Sequence, residues 1–287
     1  LVNEWFELVC GLIIFFVQAC FLKIRTLVLG KRSQLGDAWN GTGRGMGSTM
    51  VRMNLAMVGS SKISKTRVLE NSVTSVGGLS NPSKMPWFSY SIPAEFCKTG
   101  SKLAELENTV CSDCYACKGR YLFGAVKNAM HRRFSTLENL EQWAKDFSSL
   151  LNDLASIEKN PEKLYFRWHD SGDIQSVEHL AKIVQIAWNC PTIRFWIPTR
   201  EYGFVVEYIE KFGELFPPNL TIRLSTHMVD SQNPPKIGGL PTSTVHTKPE
   251  RMPLGTIQCE AYTREGKCGN CRVCWDSSVK NVSYPKH

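Results

Sequence analysis

Strand-like runs at residues 164–168, 192–197, 220–224 and, more weakly, 243–246 alternate with helix-like stretches at 175–189 and 203–215. Strands that return after a helix at intervals under thirty residues pair in parallel through right-handed crossovers, because a tight turn cannot join parallel strands. The chain is therefore expected to be α/β. An earlier run, residues 87–92, alternates large and small side chains up to Pro93 and reads as a first strand. Two helical patterns follow, 119–134 and 136–157. The second carries Leu137, Leu140, Trp143, Phe147, Leu150, Leu151 and Leu154 at steps of three and four. Roughly 165 residues separate Met85 from Arg251, fewer than the ~250 of a closed eight-fold barrel but enough for five or six βα units. The expected architecture is a partial, open parallel βα barrel over residues 85–250. Residues 66–84, polar and rich in Ser, Gly and Asn, read as a linker, and 251–287 as a cysteine-rich C-terminal segment with a metal-binding role.

That role rests on cysteine spacing. Eight of the eleven cysteines fall in two groups: Cys97, Cys111, Cys114 and Cys117, then Cys259, Cys268, Cys271 and Cys274. Gaps of two residues let successive thiolates converge on one metal or cluster from a tight loop. Disulfides are the competing reading, but they staple small secreted domains, and a chain of 287 residues with 43% apolar content can bury a core without them. Zinc and an iron-sulfur cluster both accept four thiolates, and spacing leaves the two open. Cys10, Cys20 and Cys190 stand apart and read as ordinary buried thiols.

The net charge of +8 suggests an anionic partner until it is divided along the chain. Residues 1–65 hold eight Lys/Arg against three Asp/Glu, leaving 26 against 23 in the remainder. The core charge thus gives nucleic-acid binding little support. Residues 8–22 are uncharged and strongly apolar, yet shorter than the roughly 20 residues of a membrane span. Glu4 and Glu7 precede them and Lys23 and Arg25 follow, the reverse of a secretory signal. Residues 1–65 are expected to lie outside the functional domain, with a membrane anchor through residues 5–22 as the alternative.

In parallel α/β folds the ligand site forms at the carboxyl ends of the strands. Those positions here are His169, Asp170, Ser171, Gly172 and Asp173; then Thr199, Arg200 and Glu201; then Ser225, Thr226 and His227; then His246 and Thr247. His169, beside Asp170, is the favoured histidine for proton transfer or substrate binding. Each position has a plainer reading: Ser171 and Asp173 as a helix cap, Arg200 and Glu201 as a surface pair, and His227 and His246 as structural.

Five separated segments also carry a family resemblance. They are Cys97-Lys-Thr-Gly-Ser-Lys-Leu, Cys111-x2-Cys114-Tyr-Ala-x-Lys-Gly-Arg-Tyr, Phe166-Arg-Trp-His-Asp-Ser-Gly-Asp, Arg194-Phe-Trp-Ile-Pro-Thr-Arg-Glu-Tyr and Asn281-Val-Ser-Tyr-Pro-Lys-His. In that order they resemble the phage gene product 88 family, from about residue 84 to 287 and nowhere in 1–65. The likeness implies phage or prophage origin and a place in the host cytoplasm. More remotely, the layout is similar to radical S-adenosylmethionine enzymes, which place a three-cysteine loop after the first strand of a partial barrel and a cofactor-holding Gly-Gly-Glu segment after the second. The resemblance implies Cys97, Cys111 and Cys114 as cluster ligands with Cys117 as a substitute, and Ser171, Gly172 and Asp173 as cofactor contacts. His169, Asp170, Arg200 and His227 would be the catalytic or substrate-lining groups, and a reductant protein the partner. The spacing departs from the usual Cys-x3-Cys-x2-Cys, and Tyr115 follows Cys114 where an aromatic would precede the last cysteine. Two other readings stand beside it: a non-enzymatic zinc protein contacting nucleic acid or a host factor, and a zinc-containing barrel that modifies nucleobases through Asp170 or Asp173.

Overall fold

The structure is a computed structural model that describes residues 64–286. Six α-helices lie in it: α1 (Lys65–Ser75), α2 (Lys98–Ala104), α3 (Gly124–Ser135), α4 (Leu140–Ile157), α5 (Val177–Asn189) and α6 (Tyr202–Phe212). Seven strands, β1 (Ser89–Tyr90), β2 (Tyr165–Trp168), β3 (Arg194–Thr199), β4 (Leu220–Ser225), β5 (Thr242–His246), β6 (Ile257–Gln258) and β7 (Asn281–Pro285), form one sheet in the order β1-β2-β3-β4-β5-β7-β6. Every neighbouring pair is parallel, and β1 and β6 are the free edges, so the sheet is open. The α/β expectation and its parallel sheet hold.

Register divides the sheet into two faces. Tyr90 pairs with Trp168, and Phe166 with Phe195, so these aromatics share a face. Phe147 of α4 meets Trp168 at 4.8 Å and Phe166 at 5.9 Å between ring centroids, and Trp143 meets Trp168 at 5.8 Å. The three-and-four spacing of α4 thus buries one stripe in this cluster, joined by Leu180, Ile183 and Val184 of α5 and Val205 of α6. On the opposite face Ser89, Arg167, Trp196 and Thr221 form one register row. There the C-terminal segment packs: the Trp275 ring lies 5.1 Å from Trp196, its Nε1 donates to the Phe166 carbonyl, and its own carbonyl accepts from Thr221 Oγ1.

Two stretches differ from their expected form. Residues 66–84 are not wholly irregular, because Ser64 Oγ caps α1 at the Arg67 amide and Val68 and Ser72 are buried. The helix is polar along most of its surface, which is why its pattern is faint. The C-terminal segment is no appendage either: β7 pairs with β5 over five residues and lies inside the sheet. Asn281 and Ser283 meet polar partners there. Asn281 bonds Thr242, Thr244 and Thr256, and Ser283 Oγ lies 2.7 Å from His246 Nδ1. The apolar alternation of β7 is confined to Val282 and Tyr284, too short a pattern to mark a strand by itself. Cys190 is fully buried in the core, as expected. Cys10, Cys20 and the apolar run at 5–22 lie outside the described residues. Among the described residues no helix is long and apolar enough to cross a membrane.

Candidate functional site

The first cysteine group gathers at the carboxyl ends of β1 to β4. Cys97 immediately precedes α2, and the Glu201 carboxylate, at the end of β3, accepts from the Thr99 amide at 2.8 Å and from Thr99 Oγ1 at 2.7 Å. This fixes the Cys97 turn to the β3 loop. The segment leading to Cys111 is fixed to the β4 loop in the same way, with the Val110 amide on the His227 carbonyl and the Val229 amide on the Asn108 carbonyl. Gly100 keeps the gap between sulfurs clear: a Cβ there would sit 3.6 Å from Cys111 Sγ, 3.7 Å from Cys97 Sγ and 2.9 Å from Cys97 Cβ. Cys111 is buried, Cys97 and Cys114 half-buried, and Cys117 exposed. Burial pushes the Cys97 and Cys111 thiols up, and the neighbouring Asp173 carboxylate adds to both. The Arg200 guanidinium acts against the rise at Cys111.

The strand-end residues sort themselves around this group. Asp173 Oδ1 accepts from Thr199 Oγ1 and the Ile174 amide, and Oδ2 from the Arg200 amide at 2.9 Å. Burial nevertheless raises its pKa to about 6. Helix α5 is capped instead by Ser176, so Asp173 ties two strand-end loops together where a helix cap was the plainer alternative. Arg200 and Glu201 are no surface pair: Glu201 is 4% exposed, and Arg200 Nε donates to the Thr226 carbonyl. His227 stacks on Tyr202 at 4.5 Å. Ser171 Oγ and Thr226 Oγ1 are buried without a protein partner. Gly172, at φ +81°, lets the β2 loop approach the Ile92 backbone, where the Ile92 amide donates to the Ser171 carbonyl.

His169 and Asp170 sit apart from these. Asp170 Oδ2 accepts from Tyr121, and its carbonyl from Tyr115, so it holds the Cys111–Cys117 loop from beneath. His169, at φ +50° and 3% exposed, has its ring 5.5 Å from His179 and 6.3 Å from Trp168. Burial, with His179 and Arg167 nearby, holds it well below the usual imidazole range, and burial alone brings His179 to about 3. Both imidazoles are therefore neutral at pH 7. Their folded pKa values lie below the unfolded 6.5, so the unfolded chain takes up more protons as pH falls, and stability is lost below about pH 6.5. Chemical denaturation between pH 6 and 5 should show a slope near ~1.4 kcal/mol per pH unit per histidine, reduced by one histidine's share in His179→Asn. An unchanged slope in that variant would remove His179 from the account.

The second group lies on the sheet face opposite α4, α5 and α6. The Cys259 amide donates to the Ser283 carbonyl, the Cys268 amide to the Lys84 carbonyl, and Cys274 Sγ stands 3.1 Å from Tyr284 Oη. Burial pushes Cys274 up to about 12, while Tyr284 and Arg223 act against it. Cys259 likewise has Arg264 nearby, and Cys268 has Arg167 and Arg272. Four arginines thus border three of these thiols and lessen, without cancelling, the rise that burial imposes. Arg223 was not foreseen. Fully buried, it donates to the carbonyls of Thr242, Val273, Cys274, Asp276 and Val279 and so pins the cysteine loop to β4.

All nine cysteines among the described residues are free thiols. As they stand, no three His, Cys, Asp or Glu side chains there form a group arranged to hold a metal ion. The donor set fits soft metals in kind and number, since both groups are thiol-rich and free of disulfides.

These features define an α/β protein with an open parallel sheet and two thiol groups, one at the strand ends and one on the face opposite α4, α5 and α6. The chain belongs to the gene product 88 family, which it matches over residues 55–277. The match begins ahead of α1, so the family's domain takes in the lead-in helix and reaches further toward the N-terminus than residue 84. No curated protein and no solved structure matches the chain.

Proposed function

We propose that this phage-family protein is an iron-sulfur enzyme of radical S-adenosylmethionine type, its sheet serving as a partial βα barrel. The observation that carries the reading is the meeting of Cys97, Cys111 and Cys114 with Asp173 and Arg200 at the strand ends, on loops fixed by Glu201 and the His227 carbonyl. Three thiolates on a four-iron cluster leave one iron for a chelating cofactor. When bound, the cluster and S-adenosylmethionine would supply one-electron chemistry at a carbon of the substrate. The chain's own residues have narrower tasks. Asp173 spends its carboxylate on Thr199 and the Arg200 amide and holds the mouth in shape. Ser171 Oγ and Thr226 Oγ1 are free to bind the cofactor or substrate, and Arg200 balances thiolate charge. Cys259, Cys268, Cys271 and Cys274 would close a second centre, of zinc or iron-sulfur.

Anaerobic purification followed by iron, sulfide and zinc analysis tests this. The expected protein is coloured, and Cys111→Ala or Cys114→Ala each removes the first centre's iron while the second centre keeps its metal. Reduction with S-adenosylmethionine should then yield 5'-deoxyadenosine. A colourless protein with only stoichiometric zinc would sink the proposal and leave the non-enzymatic zinc reading in its place.

A further inference from the structure

Between the two thiol groups, on the sheet face opposite α4, α5 and α6, runs the register row Ser89, Arg167, Trp196 and Thr221. Its members differ in how their polar atoms are used. Thr221 Oγ1 is committed to the Trp275 carbonyl, which closes one end of the row. Ser89 Oγ is fully buried and Trp196 is 5% exposed, and neither Ser89 Oγ nor Trp196 Nε1 has a protein partner. Arg167 Nε is also buried and unpartnered, while Nη2 donates to Tyr115 Oη at 3.1 Å. The guanidinium lies 4.7 Å from the centroid of the Trp196 ring, a cation–π contact that helps fix its place. Neighbouring positions on three adjacent strands therefore present a hydroxyl, a guanidinium N–H and an indole N–H.

Buried donors of this kind are costly without an acceptor, and a fixed planar guanidinium flanked by two more donors matches an oxyanion. The titratable groups facing Arg167 are Asp170, Tyr115, Tyr121, Tyr284, Cys268 and His169. Asp170, the carboxylate among them, is hydrogen-bonded to Tyr121. Tyr115 follows Cys114 directly, so the row begins beside the first thiol group and ends under the loop of the second.

We propose that Ser89, Arg167 and Trp196 bind an oxyanion of the substrate, a carboxylate or a phosphate, and so orient the substrate beside the first centre. This names a substrate class for the proposed reaction and rests on that reading for its catalytic meaning. The binding itself requires no metal chemistry.

Isothermal titration of the protein as purified, at fixed ionic strength in chloride, tests it with two probes: inorganic phosphate and succinate. One of them should bind saturably, and which one distinguishes a phosphate from a carboxylate group. Arg167→Gln should weaken that binding at least tenfold. Because that variant alters a buried charge, Ser89→Ala and Trp196→Phe, which each delete a single donor, should weaken it about three- to tenfold with circular dichroism unchanged. Absence of saturable binding by either probe overturns the proposal. So does loss of metal in Arg167→Gln with undiminished binding in the other two variants, since Arg167 would then serve the thiolates of the second group. Metal content separates the two readings: a zinc-only protein that still binds the anion defeats the iron-sulfur proposal alone, and an iron-containing protein that binds no anion defeats this one alone.

Discussion

Replacing Arg223 by alanine should cost at least about 4 kcal/mol of stability, since five backbone carbonyls lose a charged donor in a site closed to water. A domain of ordinary stability, about 5–15 kcal/mol, would lose a large share of it. The loss has a location as well as a size. Four of the five carbonyls, those of Val273, Cys274, Asp276 and Val279, belong to the segment that runs from the end of the second cysteine group to β7, and the fifth to β5. Limited proteolysis of Arg223→Ala should therefore cut first within 247–280, and metal bound by Cys268, Cys271 and Cys274 should leave early. Arg223→Lys keeps the charge but has three donors in place of five, and should recover about half of the loss. A denaturation midpoint for Arg223→Ala within a few tenths of a kcal/mol of the parent would show that water replaces the guanidinium, contrary to its complete burial.

Gly172→Ala carries the second large effect, about 2–4 kcal/mol. At φ +81° an L side chain is strained, and its Cβ would fall 2.2 Å from Ile92 Cγ1 and 2.9 Å from the Ile92 carbonyl oxygen. Gly172 also stands in the segment assigned to cofactor contact, and the two roles separate by experiment. If close packing dominates, Gly172→Ala with Ile92→Ala will be less destabilised than the sum of the single changes, because one removes the side chain the other strikes. Strict additivity in urea denaturation would count against the packing account. A Gly172→Ala protein of unaltered stability that fails only in cofactor binding would refute it.

The two variants mark the limits of what the linear chain discloses. The helix stripe of Trp143, Phe147, Leu150 and Leu154, and the strands at β2, β3 and β4, were legible because each buries an apolar face on the helix side, where period and environment agree. The C-terminal strand β7 was not. Asn281 and Ser283 meet threonine hydroxyls and His246, and the apolar alternation is only Val282 and Tyr284, too short to mark a strand. Helix α1 was missed for a similar reason, as most of its residues face outward and only Val68 and Ser72 are buried.

The site shows the same split. Two cysteine groups, and strand-end positions for Asp173, Arg200 and His227, followed from spacing and from the rule that parallel sheets present loops at their carboxyl ends. Glu201 was placed at a strand end with a surface pair as its plainer alternative, and it is buried on Thr99, a contact spanning 102 positions. Arg223 carries no local signal, because a lone arginine in a strand reads as exposed until the loop that covers it is in place.

The sequence by itself determined the α/β class, the parallel pairing and the grouping of the thiols, all of which depend on periodicity and short spacing. Only the tertiary structure decided which polar residues are spent on holding loops and which remain free. Asp173, Glu201 and Arg223 are committed to distant backbone and hydroxyl groups, whereas Ser89, Arg167 and Trp196 keep donors in reserve. That distinction arises from contacts between chain segments far apart in sequence, and burial makes it costly to leave such a group unpaired.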